Sequence, residues 1–222
     1  MIMLVTDRRR LSPGATEIEA ADRVVQQVEA ASQAGIDLIQ IRERDLSARD
    51  LAALVRRCVA AVEGTKARVL VNDRLDVALA TGAHGVNLRE DSLETGAVRS
   101  LLPAGGLLGR SFHNGGEASA ASEQGCLDYL ILGTLFQTTS KSGPTCLTSI
   151  RELTAVCKAS LIPVLAIGGM TVERARAVAK AGAEGIAAIG LFIPPSGEPV
   201  RDYLPSVTAD IRRAFDTCGA VP

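Results

Sequence analysis

The stretch "PVLAIGGMTVERARAVAKAGAEGIAAIG", residues 163–190, holds two short aliphatic runs with a charged, alanine-rich segment between them. Residues 163–169 and 184–190 read as strands, each a brief aliphatic run that ends in glycine. Residues 171–181 carry a helical pattern. Both strands are apolar on both faces, as parallel strands covered by helices are. A strand, a helix and a second strand in this order form the repeating unit of a parallel sheet. The fold then depends on how many such units the chain holds.

The same unit recurs toward the N-terminus. Strands are expected at 2–7, 37–42, 67–73, 85–88, 107–111 and 128–133. Helical patterns follow at 17–34, ended by Gly35, at 47–62, opened by Ser47 as N-cap, and at 74–81, ended by Gly82. Others lie at 94–101, 116–124 and 148–159, with a last one at 200–215. Eight strands each followed by a helix, in 222 residues, predict a (β/α)8 TIM barrel near its lower size limit. A doubly wound open sheet is the alternative. The count closing at eight, and the lack of a G-x-G-x-x-G after the first strand, favour the barrel. One domain is expected over residues 1–222, with a core of about 2–215, and "PPSGEP" at 194–199 is only a turn.

Composition removes several function classes. The net charge is -1 and Trp is absent, so neither a basic nucleic-acid surface nor a stacking platform is expected. No apolar run reaches the length of a membrane span, and "MIMLVTDRRR" at residues 1–10 is charged too early for a signal peptide. The five cysteines are scattered without metal-ligand spacing, which reads as reduced thiols in a cytoplasmic protein.

In such a barrel the chemistry gathers where strands end. The polar residues at those ends are Thr6 and Asp7; Gln40, Arg42 and Arg44; Asn72 and Asp73; Asn87 and Arg89; Ser111 and His113; and Thr138 to Lys141. Gly168, Gly169 and Gly190 follow strands seven and eight, the usual phosphate corner of the fold. Thr138, Ser140 and Lys141 add hydroxyl donors and a cation, a combination suited to an anion. Arg42 and Arg44 are two apart, so both side chains can enter the mouth, where each needs an anionic partner. Glu43, on the other side, reads as a plain partner for a helix residue. Asp73 suits Mg²⁺ as a hard oxygen ligand, or the N-cap of the 74–81 helix. His113 is a candidate acid or base, whereas His84 precedes its strand and reads as structural.

The segments "LVTDR", "IQIRERDLSARDL", "VLVNDRLDVALATGAHGVNL", "GRSFHNGGEA", "DYLILGTLFQTTSK" and "IPVLAIGGMTVERARAVAKAGAEGIA" resemble, in order and spacing, the thiamine phosphate synthase / thiazole tautomerase family. The resemblance covers about residues 2–192. It implies a (β/α)8 barrel and, for the synthases, the joining of hydroxymethylpyrimidine diphosphate to thiazole phosphate with Mg²⁺ and release of diphosphate. It places Arg42, Asn72 and Lys141 on the diphosphate, with Ser111 near it. Asp73 becomes a Mg²⁺ ligand. Thr138, Ser140 and Gly169 hold the thiazole phosphate, and Gln40 lines the pyrimidine pocket. Family analogy also implies a homodimer.

The chain departs from the synthase pattern after strand four. "NLREDS", residues 87–92, stands where synthases read close to H-L-G-Q-x-D. Asn87 replaces the histidine, and Ser92 stands at the second metal ligand, with Glu90 and Asp91 as near substitutes. Arg44 stands where synthases usually have lysine. A thiazole tautomerase of the same family, which needs no metal, shares some of these features and would use His113 as acid or base. A phosphate-ligand binding protein without catalysis is the alternative from another class, and the clustering of Arg42, Ser111, His113 and Lys141 argues against it.

Overall fold

Eight strands of alternating parity close on themselves because each one has an inner and an outer apolar face to bury. The computed structural model describes residues 1–137, 147–195 and 198–219. The strands are β1 (Ile2–Val5), β2 (Leu38–Ile41), β3 (Arg68–Asn72), β4 (Gly85–Leu88), β5 (Leu107–Phe112), β6 (Tyr129–Leu132), β7 (Val164–Ile167) and β8 (Gly185–Ala188). All neighbours pair in parallel, and β8 returns to β1, giving the expected closed barrel.

Helices α1 (Arg8–Leu11), α2 (Glu17–Gln33), α3 (Ala48–Ala61), α4 (Leu75–Thr81), α5 (Thr95–Leu101), α6 (Gly115–Glu123), α7 (Ile150–Ala159), α8 (Val172–Lys180) and α9 (Val200–Gly219) form the outer ring. Their starts follow from capping side chains. Thr16 and Glu19 form a reciprocal capping box on α2, and Ser47, Asn114, Ser149 and Thr171 cap α3, α6, α7 and α8. α1 is the element that the sequence pattern does not announce. Four residues carry no periodicity, and Asp7 caps it by accepting from the Arg10 N–H at 3.1 Å.

Two apolar layers result. The outward strand faces and the helices share one large cluster that includes Ile39, Val69, Val86, Leu108 and Leu130. The barrel interior is a smaller cluster of Met3, Val5, Leu38, Leu70, Tyr129, Ile131, Leu165 and Ala187. This plug fills the lower barrel, and Gln40, Asn72 and Ser111 lie above it at the C-terminal mouth. Among the described residues, no helix is long and apolar enough to cross a membrane.

Candidate active site

A cavity of about 730 Å³ opens at the C-terminal ends of the strands. Gln40, Arg42, Arg44, Asn72, Ser111 and His113 line it, as do Gly168, Gly169, Gly190 and Asp91. These expected residues are therefore brought together. Thr138, Ser140 and Lys141 lie outside the described residues.

Arg42 is half-buried, and burial first, then the neighbouring Arg44, lowers its pKa against the opposing pull of Asp7 and Glu43. Among the described residues neither Arg42 nor Arg44 has an ion-pair partner. Two guanidinium groups that face a cavity without a carboxylate partner have the chemistry to take an anion. Their backbone is held from behind. The Arg42 N–H donates to Thr6 Oγ1 at 3.0 Å, and Thr6 Oγ1 donates to Glu43 Oε1 at 2.7 Å. Glu43 is not the plain helix partner expected from sequence. It also accepts from the Arg8 N–H at 3.1 Å and from Arg8 Nη1 at 3.3 Å. Arg8 is 2% exposed and bonds Glu17 and Asp45 as well.

On the interior wall, Gln40 Nε2 donates to Asn72 Oδ1 at 2.9 Å, and Asn87 Nδ2 donates to Ser111 Oγ at 3.0 Å. His113 Nδ1 bonds the Gly133 carbonyl, which can only accept, so Nδ1 carries the proton. His84, at the opposite end, accepts from the Val69 N–H at 3.0 Å, in keeping with a structural role.

Gly168 and Gly169 have φ of 104° and 59°. A Cβ on Gly169 would lie 2.4 Å from the Gln137 carbonyl oxygen, and one on Gly168 2.5 Å from Thr134 Cγ2. Glycine is required here by backbone conformation and by the 134–137 loop packed against it, a reason the sequence does not reveal. The loop is stitched down by Leu135 N–H to Ile167 O (3.0 Å) and Phe136 N–H to Gly168 O (3.2 Å). Arg174 clips both sides, bonding Gly169 O and stacking 4.7 Å from the Phe136 ring centroid. Gly190 begins a 3-10 turn (Gly190–Phe192), and Arg10 lies over it, 3.1 Å from where a Cβ would stand. Thr134, Gln137 and Arg10 also line the cavity. Each lies within a few residues of a strand's C-terminal end, the one sequence signal that points to them.

The loop after β4 answers the question of its departures. Arg110, on the outer face of β5, holds the Glu90, Ser92 and Leu93 carbonyls at 2.9–3.2 Å and Thr95 Oγ1 at 2.9 Å. In that pinned form Asp91 lines the cavity, and Ser92 is not among its lining residues. Asp73 does not cap α4, the second of the two roles expected for it. Arg74 occupies the N-cap without a side-chain bond, while Asp73 has a positive φ of 61°. The Asp73 carboxylate turns to Arg89 instead, accepting from its N–H at 3.3 Å and lying 3.7 Å from its guanidinium. The same guanidinium pairs with Asp91 at 2.6 Å.

A family model described as thiamine monophosphate synthase matches residues 3–192. The chain belongs to this family. A thiamine-phosphate synthase of Coprothermobacter proteolyticus is 39% identical over 170 residues, covering 76% of this chain and 79% of that protein. One from Roseiflexus castenholzii is 35% identical over 196 residues, covering 87% and 81%. A solved thiamine phosphate pyrophosphorylase from Pyrococcus furiosus aligns with a TM-score of 0.78 at 27% identity, covering 98% and 96% of the two chains.

Family membership raises the question of Mg²⁺. Among the described residues, no group of three or more His, Cys, Asp and Glu side chains could hold a metal ion. Asp73 and Asp91 flank one cation, Arg89. Two carboxylates fit Mg²⁺, which commonly takes one or two protein carboxylates and completes its shell with phosphate oxygens and water.

Proposed function

We propose that the protein is a thiamine phosphate synthase, a thiamine-phosphate diphosphorylase, acting in the cytoplasm as one barrel domain. The observation that carries this reading is the pair Arg42 and Arg44, turned into the cavity of a family barrel with no carboxylate partner among the described residues. Two such cations are suited to a group with the charge of a diphosphate.

In this reading the bond from the pyrimidine's exocyclic carbon to the diphosphate oxygen breaks, and its electron pair leaves with the diphosphate. The thiazole nitrogen then gives its lone pair to that carbon. Arg42, Asn72 and Arg44 hold the diphosphate, Lys141 adds a further cation, and Ser111 donates to an oxygen. Gln40 lines the pyrimidine pocket. Gly168, Gly169 and Gly190 receive the thiazole phosphate on their backbone side, with Thr138 and Ser140 as further donors. Preorganised donors that meet charge as it develops are the main source of rate in such a site. Asp73 and Asp91 would hold Mg²⁺, which neutralises charge on the departing diphosphate when bound.

A second reading rests on His113. With Nδ1 fixed as a donor to Gly133 O, a neutral ring would offer Nε2 as base, the arrangement a metal-independent thiazole tautomerase would use. The test is product formation from hydroxymethylpyrimidine diphosphate and thiazole phosphate, with Mg²⁺ and with EDTA. Mg²⁺-dependent thiamine phosphate and diphosphate are expected. No coupling under either condition, with isomerisation of the carboxythiazole phosphate instead, refutes the synthase reading. Calorimetric binding of thiazole phosphate without any turnover points to a non-catalytic binding protein. Light scattering tests the homodimer.

A further inference from the structure

Asn87, Gly109 and Tyr129 lie in register on three neighbouring strands, β4, β5 and β6. A Cβ on Gly109 would fall 2.0 Å from Tyr129 Cζ and 2.3 Å from its hydroxyl. The Tyr129 ring therefore lies across the place where β5 has no side chain, and so reaches β4. Its hydroxyl bonds Asn87 Oδ1 at 3.1 Å. Both residues are buried, Tyr129 at 2% and Asn87 at 1% exposure.

The direction of every proton in this chain follows from one carbonyl. The Asn87 amide also faces the Leu88 carbonyl at 3.2 Å. A carbonyl only accepts, so the atom facing it is the amide nitrogen. Asn87 Oδ1 then faces Tyr129, and the Tyr129 hydroxyl must donate. Burial pushes the Tyr129 phenol pKa up, so this donor keeps its proton. The second Asn87 N–H donates to Ser111 Oγ at 3.0 Å. Ser111 Oγ thus accepts a hydrogen bond from Asn87, and none of the described residues accepts the hydroxyl's own proton. Its O–H is left to the cavity that it lines.

We propose that Tyr129 and Asn87 are positioning residues that commit the Ser111 hydroxyl to donating outward, to an oxygen of a bound diphosphate. This rests on the synthase reading for the identity of the ligand. It also gives a reason for asparagine at position 87. A primary amide can accept from Tyr129 on one side and donate to Ser111 on the other. Without the Tyr129 donor, Asn87 Oδ1 is buried with no partner, which favours a flip of the amide, against the hold of the Leu88 carbonyl, that turns the oxygen toward Ser111. The Ser111 proton can then turn inward to an amide oxygen.

The test is calorimetric binding of inorganic pyrophosphate with Mg²⁺ to wild type, Tyr129→Phe, Ser111→Ala and the double variant, beside kcat and KM for the coupling reaction. Ser111→Ala is expected to weaken pyrophosphate by about tenfold, the loss of one charge-assisted hydrogen bond. Tyr129→Phe is expected to weaken it several-fold, and the double variant to bind like Ser111→Ala alone, because Tyr129 acts only through Ser111. Additive losses, or a Tyr129→Phe protein that binds like wild type, overturn the proposal and leave the synthase reading intact. Wild type that binds no pyrophosphate overturns both. A packing role alone would lower the melting temperature without coupling to position 111. If Tyr129→Phe fails to fold, Asn87→Ala with and without Ser111→Ala carries the same non-additivity.

Discussion

Replacing Arg8 by methionine removes the centre of the network behind Arg42 and Arg44. The aliphatic stem is kept and the guanidinium is lost. Glu43, whose side chain is 3% exposed, then keeps only the Thr6 hydroxyl and the backbone N–H of residue 8 as partners. Breaking a buried pair from one side costs about 3–5 kcal/mol, because the remaining charge is stranded. The bonds to Glu17 and Asp45 add little, since those carboxylates are 67% and 38% exposed. A loss of about 3 kcal/mol is expected, which corresponds to a melting temperature lower by roughly 6–12 °C for a chain of this size. The loss must depend on pH. Burial already raises the Glu43 pKa against the bonds from Thr6 and Arg8, and removing Arg8 raises it further. A carboxyl with a raised folded pKa contributes stability that is complete below its unfolded pKa and is lost as pH rises through the folded value. The Arg8→Met defect is therefore largest above neutral pH and shrinks toward about pH 4, as Glu43 takes up a proton. Adding Glu43→Gln removes the stranded charge, and the double variant should recover much of the loss at about pH 8. Urea unfolding of wild type, Arg8→Met, Glu43→Gln and the double variant across pH measures this. A single variant within about 0.5 kcal/mol of wild type at high pH, or a double variant no better than Arg8→Met, refutes the reasoning.

Other outcomes follow from single positions. Arg8 first holds the Asp45 carboxylate down to about 2, so its contribution is present above the ordinary carboxylate pKa and fades as pH falls through about 2. Unfolding of Asp45→Asn should differ from wild type at about pH 5 and converge with it near about pH 2. Gly169→Ala places a side chain at φ 59° and 2.4 Å from the Gln137 carbonyl oxygen, so it should cost at least about 2 kcal/mol and weaken thiazole phosphate in calorimetry. Arg89→Ala frees Asp73 and Asp91 from their shared cation and should tighten Mg²⁺ in the presence of pyrophosphate, read by calorimetry. Arg42→Ala should lower kcat/KM by about 10–100-fold in steady-state kinetics, the value of a bond to a charged group.

Strand count and parity made the barrel legible from sequence. Eight aliphatic runs closed the sheet, and the last polar residue of each fell at the mouth, as Gln40, Asn72 and Ser111 do. What each polar side chain does there was not legible. Asp73 read as a Mg²⁺ ligand or a cap; it is not the cap, and at a positive φ its carboxylate faces Arg89. Gly168 and Gly169 looked like room for phosphate, and they also make room for the 134–137 loop. Tyr129, unremarked within its strand, is core except for one hydroxyl that crosses a glycine to reach β4. These are pairings between elements far apart in sequence, and local pattern carries no record of them.

The run Arg8-Arg9-Arg10 shows how a small local feature multiplies into this kind of surprise. In the sequence the three arginines are equivalent. One turn of helix separates them, because successive side chains on a helix point about 100° apart. Asp7 starts that turn, and the directions then follow. Arg8 turns inward to Glu43 and Asp45 and fixes the backbone that carries Arg42 and Arg44. Arg9 stays in solvent at 70% exposure and, among the described residues, pairs with Asp45. Arg10 swings over Gly190 at the cavity wall. A scaffold residue, a surface residue and a residue of the cavity wall thus come from one identical triplet. A four-residue helix too short to leave a sequence signature assigns the roles, and through Glu43 it reaches the segment after β2 that carries Arg42 and Arg44.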